Sequence, residues 1–290
     1  MQPPDTSTVS SFFILGSQRS GTTLFRLMLN SHPELCVYDE IRSYDLLRDS
    51  LYLNHPDCQN SNIKYGFKIP RWTPWVLEKE IPEDVDLYGG GGFYSGQPLL
   101  FMLRDPIDTV SSMLRLKDAG HLWIEHWANR LLKSWIANFP WIDKELENEL
   151  TILERESFSN ISVGAVYCCF FLKVFKKYFY GPTPLNLIAV SYEGLTHHPR
   201  EIMTKVLNGL DVSWSEKVLQ HHLEKHGEVF SDGKTLGNTD PSKSLNPDSV
   251  GKGRAELSEK EIDIINETCG ELWGELNNVL MENSGIMIKS

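Results

Sequence analysis

Apolar residues fall along this chain in two rhythms. Short unbroken runs at 12–15, 64–69, 99–103 and 185–190 read as buried strands. Between them, apolar positions recur every three or four residues, which predicts helices over 22–31, 43–52, 106–117, 123–138, 160–179, 194–210, 214–224 and 258–277. In the first of these helices, Leu24, Leu27, Met28 and Ser31 share one face. Strands alternating with helices imply an α/β fold, a mostly parallel sheet covered by helices on both faces. In such a fold, ligands bind at the carboxyl ends of the strands.

Two stretches break the rhythm. Gly89 to Gly92 is a run of four glycines and reads as an exposed loop. Residues 229–253 are rich in Gly, Ser, Pro, Asn and Asp with little periodicity, and are expected to form a lid over the ligand. With no repeat and no linker, residues 1–290 read as a single domain behind a flexible tail, 1–11.

Charge narrows the partners. The formal net charge is −11, so the chain is a poor non-specific binder of nucleic acid or of an anionic membrane. An anionic ligand must be met by a local basic cluster. The five cysteines, Cys36, Cys58, Cys168, Cys169 and Cys269, have no framework spacing and read as reduced thiols of a cytoplasmic protein. The N-terminus lacks the basic and apolar regions of a signal peptide. The apolar run Ile161 to Leu172 is too short to span a bilayer. His221, His222 and His226 include a pair four apart, but no carboxylate or cysteine completes a metal site. Trp123, Trp127, Trp135 and Trp141 read mostly as packing.

The chemistry is concentrated in FILGSQRSGTTLF. A strand, a loop bounded by Gly16 and Gly21, and a helix aim backbone N–H groups and the positive end of a dipole at one point. The spacing is that of a nucleoside-triphosphate loop, but Thr22 stands where such a loop carries the lysine for the β- and γ-phosphates. Thr22 and Thr23 supply hydroxyls, and Arg19 is the one cation inside the loop. This suits a compact anion held without a metal, and disfavours a plain ATPase or GTPase. A second motif, LLFMLRDPIDTVSSMLRL, puts Arg104 at the end of a buried strand and Pro106 at the start of a helix. Ser112 follows Arg104 by eight residues. Helical side chains tilt toward the N-terminus, so Arg104 and Ser112 can meet one phosphate.

With these two motifs the chain resembles the PAPS-dependent sulfotransferases, which share a P-loop-like fold. PAPS is 3′-phosphoadenosine 5′-phosphosulfate. The resemblance implies that Arg19, Ser20, Gly21, Thr22 and Thr23 cradle the 5′-phosphosulfate and that Arg104 and Ser112 hold the 3′-phosphate. Lys68, in YGFKIPRW, resembles the family lysine that contacts the oxygen bridging phosphate and sulfate. Charge develops on that oxygen as the bond breaks, so a fixed ammonium stabilises the transition state above the ground state. Tyr192, in VSYEGL, resembles the tyrosine beside the adenine. SVGKGRAELS resembles the segment that folds over the 3′-phosphate, with Lys252 and Arg254 in place of its two arginines. Gly253 stands where the family has a tryptophan, and a lysine offers a point charge where an arginine offers a fork.

The stretch RSGTTLFRLMLNSHPELCVYDEIR is similar to the tyrosylprotein sulfotransferases and to bacterial members of the family. Glu40 falls where the catalytic base of the tyrosylprotein enzymes stands, and Arg42 matches one of their arginines. His121 and His126 are the reserve candidates for the base. The resemblance implies transfer of a sulfuryl group from PAPS to a hydroxyl of a small molecule, lipid, glycan or peptide, with release of PAP and no metal. The alternatives are a non-catalytic PAP or nucleotide-binding protein and an atypical P-loop kinase. Acceptor walls are expected from 43–64, 84–97 and 118–160.

Overall fold

The computed structural model describes residues 11–48, 60, 62–70, 97–118, 124–125, 129, 132–133, 145–181, 186–226 and 239–289. Its framework is a six-stranded sheet in the order β2-β3-β1-β4-β5-β6. The strands are β1 (Ser11–Gly16), β2 (Leu35–Tyr38), β3 (Lys64–Lys68), β4 (Pro98–Leu103), β5 (Asn186–Ser191) and β6 (Ile286–Lys289). All neighbours pair in parallel except β5 and β6, which are antiparallel. The helices are α1 (Thr22–Asn30), α2 (Glu40–Arg48), α3 (Pro106–Asp118), α4 (Glu147–Arg155), α5 (Asn160–Tyr180), α6 (Tyr192–His197), α7 (Pro199–Gly209), α8 (Lys252–Glu256) and α9 (Glu259–Glu282). The α/β class with a mostly parallel, helix-flanked sheet holds.

Side-chain alternation along the strands divides the core in two. Phe13, Leu15, Phe67 and Phe101 join a cluster with α3, α5 and α9 on one face. Phe12, Ile14, Leu100 and Met102 join a second cluster with α1 and α7 on the other. Because every strand of the middle is covered on both faces, it reads as a continuous apolar run.

Several elements differ from the periodicity. The strand β2 is four residues long with alternating burial, too short a pattern to stand out from a loop. The strand β6 and the helices α4 and α8 were also absent from the pattern reading. The helix expected over 194–210 is two helices, α6 and α7, with His198 between them and Pro199 opening the second. Proline disfavours helical backbone in the residue before it, which accounts for the break. The helix expected over 214–224 is a pair of tight 3₁₀ turns, Glu216–Leu219 and His221–Leu223. The helix expected over 43–52 starts at Glu40. Gly89 to Gly92, most of the helix expected over 123–138, the four tryptophans and the reserve histidines His121 and His126 lie outside the described residues, as do 229–238 of the expected lid.

Parallel order sets the site. β1 has β3 on one side and β4 on the other, and the chain runs from β1 to β2 and β3, then crosses β1 to reach β4. That reversal makes the carboxyl end of β1 a switch point, where a crevice opens between diverging connections. Gly16, Lys68, Arg104 and Tyr192 all stand at or just after the carboxyl ends of these strands.

Candidate active site

The phosphate loop leaves β1 at Gly16 and enters α1 through Gly21, whose φ of +103° is the left-handed conformation glycine adopts freely. No side chain caps α1, so its first N–H groups stay aimed outward over the loop. A side chain at Gly21 would put its Cβ 2.3 Å from the Tyr192 ring, so the loop lies directly on that tyrosine. Inside the loop, Ser20 is fully buried and donates its hydroxyl to the Ser17 carbonyl at 2.6 Å. Arg19 has a φ of +69°.

Arg19 and Arg104 are interlocked. Arg104 Nη1 donates to the Arg19 carbonyl at 3.0 Å, and Arg19 Nε donates to Ser112 Oγ at 3.1 Å. The structure therefore brings Arg19, Arg104 and Ser112 into one cluster. Burial and then the nearby charges of Arg104 and Arg115 lower the Arg19 pKa to about 10. Arg19 remains charged at neutral pH, and its repulsion from Arg104 and Arg115 is an arrangement that a phosphate would relieve. Among the described residues, the buried Arg104 Nε has no acceptor. An orphaned donor in a cationic pocket fits an anionic group.

Arg104 also lies over the Tyr192 ring, 4.3 Å from its centroid. Its Nη2 donates to the Ser249 carbonyl at 3.0 Å, while the Tyr192 hydroxyl bonds the Ser249 hydroxyl at 2.6 Å. Ser249 thus fastens the segment 239–253 to the ends of β4 and β5. The segment forms one wall of a cleft of about 310 Å³, whose other walls include Arg19, Thr22, Thr23, Arg104 and Tyr192.

The rest of that segment is held by Asp108, in the first turn of α3. Its carboxylate accepts the N–H of Gly251 at 2.6 Å and of Gly253 at 2.7 Å. A Cβ on Gly253 would lie 2.6 Å from the Ile107 carbonyl oxygen, so α8 packs backbone to backbone on α3. This close approach explains glycine at the position where the resembled family carries tryptophan. Lys252 is exposed beside it. Arg254 is half exposed and pairs with Asp105 at 3.0 Å. The Asp105 N–H in turn donates to Glu193 at 2.9 Å, and Ser191 donates to the other carboxylate oxygen at 2.9 Å. Burial foremost raises the Glu193 pKa. Asp108, Glu193 and Ser249 escaped the sequence reading. All three lie within the quoted motifs, but nothing in the string tells which distant N–H or hydroxyl they take.

Lys68 and Glu40 stand across the loop from Arg104. Lys68 ends β3 and donates its Nζ to Thr23 Oγ1 at 2.8 Å, in the first turn of α1. Glu40 opens α2, and its Oε2 lies 3.7 Å from Lys68 Nζ. Both residues are about 95% buried, at 4% and 5% exposure. Ser43, one turn into α2, accepts the Lys68 N–H at 3.0 Å and locks helix to strand. Arg42 donates its N–H to Asp39 in the same turn. The structure thus groups a carboxylate, an ammonium and a hydroxyl beside the loop, and groups two guanidiniums, a serine and a tyrosine on its other side. Among the described residues, no set of His, Cys, Asp and Glu could hold a metal ion.

Residues 11–65, which span β1, the loop, α1, β2 and α2, match a model of the sulfotransferase family. A protein-tyrosine sulfotransferase of Drosophila melanogaster is 26% identical over 236 residues, 72% of this chain and 39% of that protein. The chain therefore spans about two fifths of the length of that curated relative. Among solved structures, a sulfotransferase domain from the curacin biosynthetic pathway covers 90% of this chain and 97% of its own, with a TM-score of 0.56 at 13% identity. A sulfotransferase domain from the Synechococcus PCC 7002 olefin synthase covers 91% and 96%, with a TM-score of 0.49 at 17% identity. The likeness to the curacin domain is one of fold. The family match and the fly relative support a sulfotransferase family for this chain.

Proposed function

We propose that this chain transfers a sulfuryl group from PAPS to a hydroxyl of an acceptor and releases PAP. The observation that carries the reading is the pair of cationic groups on either side of one loop: Lys68 with Thr23 and Glu40, and Arg104 with Arg19 and Ser112. Two cationic groups on one loop suit a nucleoside charged at both its 5′ and 3′ positions. Arg19, Ser20, Gly21, Thr22 and Thr23 cradle the 5′-phosphosulfate. Arg104 and Ser112 take the 3′-phosphate, with Lys252 and Arg254 nearby on the strap that segment 239–253 and α8 form together. Tyr192 lines the cleft where the adenosine lies.

In the transfer, Glu40 accepts the proton of the acceptor hydroxyl as its oxygen attacks sulfur. The S–O bond to the 5′-phosphate breaks, and the electron pair passes to the phosphate oxygen. Lys68 meets that oxygen as its charge grows, so its contribution is largest at the transition state. Cationic side chains and N–H groups perform the neutralisation.

The acceptor belongs to a broad class, a small molecule, lipid, glycan or peptide with a free hydroxyl. The fly relative is named for protein tyrosine. The described cysteines Cys36, Cys168, Cys169 and Cys269 are free thiols, which fits the reducing environment of the cytoplasm. No helix among the described residues is long and apolar enough to cross a membrane.

Thermal shift with PAP, ADP and ATP–Mg²⁺ tests the donor half of the reading. Stabilisation by PAP alone supports it, through mass action on the folded state. Equal stabilisation by ADP overturns it. Labelled PAPS with a panel of phenols, alcohols and peptides then tests turnover, and PAP binding without transfer to any of them would leave a nucleotide-binding protein.

A further inference from the structure

The parallel ladder between β4 and β5 ends at the pair Leu103 and Ser191. Beyond that pair the strands part, β4 leading into α3 and β5 into α6. Arg104 is the first residue of its strand past the ladder, and the N–H of Asp105 after it needs an acceptor from outside the sheet. Glu193 supplies one: its Oε1 accepts that N–H at 2.9 Å. Its Oε2 accepts the Ser191 hydroxyl at 2.9 Å, and the same hydroxyl accepts the Gly194 N–H at 3.1 Å. The carboxylate is thus held by its own turn and lengthens the ladder by one bond, with a side chain in place of a strand. The bonds that Asp105 makes to the N–H groups of Ile107 and Thr109 are local to α3, whereas the bond to Glu193 ties the root of α3 to β5. Tyr192, the residue before Glu193, puts its ring 4.3 Å from the Arg104 guanidinium. Two consecutive residues of α6 therefore meet Arg104 at its tip and at its root. A long side chain held at both ends has less freedom left to lose when a ligand binds it.

We infer that Glu193 is a positioning residue of the 3′-phosphate site: its side chain stands in for a strand bond and pins the backbone from which Arg104 reaches. The inference rests on the reading of Arg104 as the group that takes the 3′-phosphate. Glu193 acts through Arg104 and not on the nucleotide. The role requires an acceptor oxygen at the right reach, and does not require a negative charge.

The test is calorimetry of PAP and of AMP with the wild type, Glu193→Asp, Glu193→Gln, Arg104→Ala and the double variant Glu193→Asp/Arg104→Ala. Aspartate keeps the charge but falls a methylene short, whereas glutamine keeps the reach and a carbonyl acceptor but loses the charge. Glu193→Asp should weaken PAP by roughly fivefold, the worth of one hydrogen bond. AMP, which lacks the 3′-phosphate, should change little. Glu193→Gln should recover most of the loss. In the Arg104→Ala background the aspartate substitution should add little. Amide hydrogen exchange reads the same bond without a ligand. The Asp105 N–H should be protected in the wild type and in Glu193→Gln, and should exchange faster in Glu193→Asp.

A wild type that binds PAP no better than AMP overturns the donor reading, and the inference with it. A wild-type preference for PAP that survives intact in Glu193→Asp overturns the inference alone. Equal losses for PAP and AMP, a glutamine variant as weak as the aspartate one, or losses that multiply in the double variant do the same, and leave Glu193 as packing or as a charge. Should Glu193→Asp fail to fold, Glu193→Gln and the wild type decide. A glutamine variant without the preference for PAP, or a wild-type Asp105 amide that exchanges like an exposed loop, then refutes the role, and the opposite pair of results upholds it.

Discussion

The Lys68 ammonium stands 3.7 Å from the Glu40 carboxylate, and both are almost wholly buried. Two buried opposite charges need each other, because either one alone would carry an uncompensated desolvation cost. In the proposed reaction they also divide the labour, one taking the acceptor proton and the other meeting the leaving oxygen. Glu40→Gln removes the base and keeps the shape. It should lower kcat by ~10²–10⁴-fold and leave PAP affinity within a few fold. Steady-state kinetics beside calorimetry measures both. A fully active Glu40→Gln enzyme would return the base to another residue.

Lys68→Ala should lower kcat by ~10²–10³-fold, the scale of losing one transition-state donor. PAP should bind it nearly as well as wild type, since the interaction grows only as the bond breaks. Some loss of thermal stability is also expected, because Glu40 would be left buried without its partner. Unchanged turnover in Lys68→Ala would refute its role.

Arg104→Ala should show the converse pattern. It removes charge-assisted bonds at the 3′-phosphate and the bond that holds the Arg19 carbonyl. PAP affinity should fall by ~10- to 100-fold, while AMP, which lacks the 3′-phosphate, should lose much less. Equal losses for PAP and AMP would move the 3′-phosphate elsewhere.

Gly253→Ala would press a Cβ within 2.6 Å of the Ile107 carbonyl oxygen and 2.9 Å of the Asp108 nitrogen. Both obstacles are backbone, so the strap must lift. Asp108→Asn attacks the same junction, since an amide presents only one acceptor oxygen to the two N–H groups of Gly251 and Gly253. Each should cost about 1–3 kcal/mol at the strap. PAP should bind more weakly, and proteolysis should cut 239–253 faster. Wild-type protease resistance in both variants would show that the strap is held by other means.

How much of this was legible in the string depends on the length of the pattern. β1, β3, β4 and β5 announced themselves because their residues are buried on both faces. β2 did not, because Leu35 and Val37 alternate with half-exposed Cys36 and Tyr38 over only four positions. The break at His198–Pro199 was visible as a proline but outweighed by a continuing apolar rhythm. At the site, the motifs named Arg19, Arg104, Ser112, Lys68 and Glu40. They could not show that Arg19 itself bonds Ser112, nor that Asp108 reaches Gly251, 143 residues away. The first contact joins the loop after β1 to α3, the second joins α3 to the returning C-terminal segment, and local sequence carries no record of a distant partner.

Acid should weaken the fold through the buried histidines. Burial, with His222 and His226 close by, lowers the His221 pKa from 6.5 to about 4. Burial also lowers His226, which faces Arg26 and Glu224. A depressed histidine makes the unfolded chain the better proton binder between these values. The stability it contributes is therefore complete above pH 6.5 and drains away as pH falls toward 4. From pH 7.5 to 5, His221 alone should account for about 2 kcal/mol. Urea melts across that range should show a slope that His221→Gln, which does not titrate, lacks in part. Parallel slopes for the two proteins would mean that His221 is no proton-linked group.

The division of the crevice by β1 has a consequence for redesign. The groups assigned to the 3′-phosphate and the adenosine hang from β4, α3, β5 and the strap, whereas those assigned to the acceptor proton and the leaving oxygen hang from α2 and β3. Thr23 and its loop link the two sets. New acceptor preferences can therefore be sought by exchanging chain on the β2–β3 flank, with the adenosine clasp on the opposite flank left as it stands.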